Sequence, residues 1–95
     1  MYKIELKKDY SIGVECQFSS ARLIVFKQGI ELGCRKEKIR LLKKFLENDE
    51  TELFKGRLRL YKKRRDIIIV FKDQSIGSVY SKELERALDS IVAPL

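Results

Sequence analysis

Apolar and polar residues alternate along most of this chain. Tyr2, Ile4 and Leu6 interleave with Lys3, Glu5 and Lys7, and a period of two places one set of side chains on each face of a strand. After a break at Lys8 and Asp9, Ile12, Val14, Cys16 and Phe18 repeat the pattern. Ser19 and Ser20 offer a tight turn into Leu23, Ile24, Val25 and Phe26, a run apolar on both faces that suits an interior strand. Gln28 and Gly29 turn the chain again, and Ile30, Leu32 and Cys34 alternate once more. Near Lys36 the period lengthens. Ile39, Leu42, Phe45 and Leu46 mark one face of a helix ending near Asn48, where a polar connector over residues 48–51 follows.

The second half repeats this order. Leu58 and Leu60 alternate with Arg57, Arg59 and Tyr61; residues 63–66 form a polar turn; residues 67–71 are apolar on both faces; residues 75–80 make a short strand. Ser81 is placed as the N-cap of a closing helix with Leu84, Ala87, Leu88, Ile91 and Val92 on one face, stopped before Pro94. Ile24-Val25-Phe26-Lys27 recurs as Ile69-Val70-Phe71-Lys72, and Ile39, Leu42 and Leu46 match Leu84, Ala87 and Ile91 at the same spacing of 45 residues. A strand-strand-strand-helix duplication over residues 1–50 and 51–95 accounts for both.

Strands with one charged face, and helices with one stripe to bury, have few solutions. The expected fold is a single α+β domain over residues 1–95: one antiparallel sheet of six to seven strands with two helices on one face. Ile24, Phe26, Ile67, Ile69 and Phe71 are its expected buried strand residues. A small curved barrel closed by the last helix, as in pleckstrin-like domains, is the alternative, and the mid-chain helix argues against it.

Charge sharpens the picture. The chain holds 21 basic and 14 acidic residues, a net charge of +7. Residues 55–72 carry eight of the bases (Lys55, Arg57, Arg59, Lys62, Lys63, Arg64, Arg65, Lys72) and Asp66 as their single acid, so the rest of the chain balances. A surplus packed into one hairpin is a surface for something negative, with nucleic acid the first candidate. On a strand, Arg57, Arg59, Tyr61 and Lys63 share one face, and cations beside an aromatic ring are how single strands are held: phosphates on the cations, an unpaired base on the ring. Arg57, Arg59 and Lys63 are therefore assigned to phosphates and Tyr61 to stacking, with Lys55, Lys62, Arg64 and Arg65 reaching along the backbone. A second cluster, Arg35, Lys36, Lys38, Arg40, Lys43 and Lys44 against Glu37, reads as the solvated face of the first helix. Lying behind the sheet, it would extend a wrapped path for a longer strand, or meet a different partner, rather than join the hairpin in one groove.

Catalytic chemistry finds little to work with. The chain has no histidine, the commonest general base and neutral metal ligand, and neither a nucleophile elbow nor a phosphate-binding glycine loop precedes a helix. Glu47, Asp49, Glu50 and Glu52 could in principle hold a magnesium ion, but four acids beside a polar turn are read as a solvated linker. No enzyme, cofactor or metal is expected. Cys16 and Cys34 lack the close spacing of a zinc or redox pair and are placed as small core residues. The chain opens into a strand, without a leader or a membrane-length apolar run, so a cytoplasmic protein without membrane contact is expected.

Residues 29–48, GIELGCRKEKIRLLKKFLEN, resemble the last strand and helix of the small single-stranded-DNA-binding transcriptional coactivators, a superfamily that includes Whirly and Pur-alpha proteins. Gly29-Ile30-x-Leu32 leading into a helix with Leu42 and Leu46 carries the likeness. The resemblance implies units of antiparallel strands and a helix, two of which assemble within or between chains so that curved sheets hold a single strand. The reading is thus a non-catalytic module for single-stranded DNA or RNA. Its rival is a small regulator or inhibitor docking the basic hairpin on an acidic protein surface. Either is compatible with a homodimer through unpaired strand edges.

Overall fold

Short turns fold each alternating run back on its predecessor. The computed structural model describes residues 1–47, 52, 53 and 56–92. The expected end of the first helix at Asn48, the connector, Lys55 and the stop at Pro94 lie outside them. In the first half, β1 (Tyr2–Glu5), β2 (Tyr10–Gln17), β3 (Ser20–Lys27) and β4 (Ile30–Lys38) form an antiparallel meander followed by α1 (Ile39–Glu47). Lys8 and Asp9 (φ 55° and 65°), and Gln28 and Gly29 (φ 52° and 79°), make two of its two-residue turns, and Phe18 and Ser19 make the third. Paired left-handed residues match the natural twist of hairpin strands. The second half is built alike: β5 (Glu52–Leu53), β6 (Leu58–Lys63), β7 (Asp66–Phe71), β8 (Gln74–Tyr80) and α2 (Ser81–Ile91).

The architecture is therefore α+β with two four-stranded antiparallel sheets, not one sheet of six or seven strands. Geometry explains the split. At about 4.8 Å per strand, seven strands present a face roughly 34 Å wide, whereas two helices of ~10 Å diameter cover about 20 Å of it. Two smaller sheets turn their apolar faces toward one core instead. That core joins Ile4, Ile12, Val14, Leu23 and Val25 of the first sheet to Leu58, Leu60, Ile67, Ile69 and Phe71 of the second. Leu42, Phe45, Leu84 and Leu88 from the helices complete it. The halves interlock: α2 packs on β1 and β2, Tyr2 of β1 donates its hydroxyl to Glu83 of α2 at 3.1 Å, and Lys62 of β6 binds the end of α1.

The two halves share one order of elements, but their strands do not face as the spacing of 45 residues implies. The first four strands have 4, 8, 8 and 9 residues, and their described counterparts 2, 6, 6 and 7. β6, β7 and β8 are each two residues shorter than β2, β3 and β4, which preserves the facing of their side chains. A spacing of 45 is odd and does not. Ile69 points into the shared core, but Ile24, paired with Gly13 and Cys34, lies on the opposite face of its sheet, buried outside that core. Phe26 shares that outer face and is only half-buried. The true match is the bulge: the register slips between Val25 and Phe26 opposite Leu32-Gly33, and between Ile69 and Val70 opposite Ile76-Gly77. The helices likewise align Leu42, Phe45 and Leu46 with Leu84, Ala87 and Leu88.

Three smaller expectations are corrected. β4 continues through Lys38, because Arg35 and Glu37 pair with Leu23 and Ala21, so the helix starts at Ile39 rather than near Lys36. Tyr80, not Ser81, is the N-cap of α2, and it makes no side-chain cap bond. The Ser81 N–H is satisfied instead by the Arg65 carbonyl, a tertiary partner for a donor that helix starts leave open. Cys16 and Cys34 are both free and exposed, the first at the end of β2 beyond the core, the second on the outer face. No helix among the described residues is long and apolar enough to cross a membrane.

Candidate nucleic-acid interface

Alternation along β6 sorts the basic residues. Leu58, Leu60 and Lys62 pair with Phe71, Ile69 and Ile67 on the core side, while Arg59, Tyr61 and Lys63 pair with Val70, Ile68 and Asp66 on the outer side. Arg57 stands exposed just before the strand, its carbonyl accepting from the Lys72 N–H at 2.8 Å. Lys63, Arg64 and Arg65 are exposed at the hairpin tip, where Arg64 takes a left-handed φ of 58°. None of Arg57, Lys63, Arg64 and Arg65 has an ion-pair partner among the described residues.

Two of the expected contacts are already engaged. Lys62 donates its ammonium to the carbonyls of Phe45 and Leu46, each at 2.8 Å. A cation on the last carbonyls of a helix complements its dipole, so Lys62 holds α1 from the wall of the cleft that Arg64 and Arg65 also line. Its parity with Leu58 and Leu60 was the available signal. Arg59 is bound by the Asp73 carboxylate, and its side chain is only 26% exposed. Tyr61 stands between Glu52 and Ile68 in the ladder and is half-buried.

The tip opens into a cleft of about 800 Å³ against the start of α2, within the ~300–1,000 Å³ that small organic groups occupy. Arg64, Arg65, Lys82 and Arg86 supply cations, and Glu83 and Glu85 partly offset them. Tyr80, 69% exposed, lines the same cleft. Alternation places Tyr80 on the outer face with Tyr61, since it pairs with Asp66. Sequence reasoning missed it because it lies outside the basic stretch, as do Lys82 and Arg86.

The outer face of the first sheet differs. Arg22 binds Glu15 at 2.8 Å and Glu31 at 3.3 Å, and the bond to Glu15 raises its guanidinium further above its ordinary range. Lys3 lies 4.5 Å from the centre of the Phe26 ring. Its central cations are matched from within, whereas those of the second-half tip are not. Among the described residues no cluster of three potential metal ligands occurs, and Asp49 and Glu50 of the acidic connector lie outside them.

No family model matches the chain, nor does any curated protein or solved structure.

Proposed function

We propose that the chain is a non-catalytic module for single-stranded nucleic acid, bound along the outer face of β6 and into the cleft at the hairpin tip. The observation that carries this reading is the juxtaposition of Arg64 and Arg65, unpaired among the described residues, with the exposed Tyr80. Clustered cations repel one another until a polyanion neutralises them, and each phosphate bound releases condensed counterions. An open ring at the same place adds base stacking, which only an unpaired strand can use fully. Arg57, Lys63, Arg64 and Arg65 meet phosphates; Tyr80 stacks a base; Tyr61 offers a second, narrower ring surface.

Titrating a labelled single strand and the corresponding duplex at several salt concentrations tests this. Four phosphate contacts at roughly −0.7 each give a log-log salt slope of about −3 for the single strand, with the duplex bound more weakly. Equal competition by duplex would favour a generic cationic patch; binding of neither would favour an acidic protein surface as the partner.

A further inference from the structure

The first half carries a counterpart of the tip cleft. In each half, the carbonyl of the turn after the long second strand accepts the first N–H of the helix: Ser19 from Ile39 at 3.1 Å, Arg65 from Ser81 at 2.7 Å. Each cleft is bounded by the far end of the opposite helix, Val92 in the first half and Leu46 in the second. The helices therefore run antiparallel, with Lys43 Nζ 3.3 Å from Asp89, and a cleft lies at either end of the pair.

The first-half cleft holds about 410 Å³ and is lined by Phe18, Lys38, Arg40 and Lys43. Phe18 is 94% exposed and sits at a φ of 60°. A bulky residue at positive φ is a conformational outlier, and an exposed ring adds nothing to the core. Folding alone would favour asparagine or glycine at that turn. Arg40 lies in the first turn of α1, which has no acid to offset it, so its charge opposes the helix dipole. Lys38 is exposed beside it, with no ion-pair partner among the described residues. An aromatic ring and two cations are thus held in the open at local expense to the fold, at the position corresponding to the Tyr80 cleft.

We propose that this cleft is a second site for single-stranded nucleic acid, with Phe18 stacking a base and Lys38 and Arg40 meeting phosphates; the inference rests on the reading of the Tyr80 cleft given above. The helices between the clefts have 9 and 11 residues, so at about 1.5 Å per residue the sites stand roughly 15 Å apart. One strand long enough to enter both gains the effective concentration of an intramolecular second contact.

Oligothymidylates of four and twenty nucleotides, added to the full chain and followed by NMR, separate the possibilities. The short probe shifts the ring resonances of both Phe18 and Tyr80, and the long probe binds at least tenfold more tightly. Phe18→Asn with Arg40→Gln, in which asparagine suits the left-handed turn, keeps the melting temperature and the Tyr80 response to the short probe. It loses tenfold or more of the affinity for the long one. If only Tyr80 responds and the double variant binds the long probe as the parent does, the second site is overturned while the Tyr80 cleft stands. If neither ring responds to either probe, both readings fall together.

Discussion

The Lys62 ammonium donates to the Phe45 carbonyl at 2.8 Å, across the boundary between the two halves. The same nitrogen reaches Leu46 and closes two carbonyls that the end of α1 would otherwise leave to solvent. Lys62→Met keeps the stem and removes both bonds, and it should lower stability by about 1–2 kcal/mol. Lys63→Met, one residue on and facing outward, should stay within about 0.5 kcal/mol of the parent. Urea unfolding of the pair checks this, and equal effects would show that Lys62 does not anchor the helix.

Gly77 has a φ of +141°, and a Cβ built on it lies 3.0 Å from the Cβ of Leu6. Gly77→Ala therefore combines backbone strain with a clash between the halves. A loss of about 1–3 kcal/mol is expected, visible as a fall of several degrees in Tm. An unchanged Tm would mean that the β8 bulge is free to relax.

Asp73 holds Arg59, and its own side chain is 88% exposed. Asp73→Asn suits the same left-handed turn position, φ 63°, and releases the guanidinium toward the outer face. Single-strand affinity should rise a few-fold and the salt slope steepen by about 0.7, one additional phosphate. Weaker binding would show that the pair positions Arg59 for its ligand.

The Tyr2 phenol donates to the Glu83 carboxylate, and that bond raises its pKa above the ordinary 10.0. A phenol whose folded pKa is raised contributes stability below its unfolded pKa, lost as pH rises through the folded value. Tyr2→Phe should therefore show a shallower decline of Tm above pH 10 than the parent. Parallel curves would remove the bond from the account.

Faces were legible in the sequence and partners were not. Alternation placed Leu58 and Leu60 inward and Arg59, Tyr61 and Lys63 outward, because a period of two fixes facing whatever the strand pairs with. It carried no information on which strands share a sheet, so seven of the eight described strands were recognised and their division was missed. The identical Ile-Val-Phe-Lys tetrapeptides misled because their spacing of 45 is odd, whereas the matching bulges after Val25 and Ile69 stand an even number of residues apart, so the repeated tetrapeptides face opposite ways. Grouping Lys62 with its charged neighbours ignored its parity. Tyr80 and Phe18 carry no local signal of function: only the fold brings Tyr80 beside Arg64 and Arg65, and Phe18 beside Lys38 and Arg40.

The most direct test of the single-strand reading is the salt dependence of binding for the parent, Arg64→Ala with Arg65→Ala, and Tyr80→Ala, using one labelled single strand. Loss of the two arginines should flatten the slope by about 1.4, two phosphates at roughly 0.7 each. Tyr80→Ala should weaken binding by about 1–3 kcal/mol and leave the slope unchanged, because it removes stacking and no charge. Parent-like binding by Tyr80→Ala and by Tyr61→Ala, with duplex competing as well as single strand, would contradict the account.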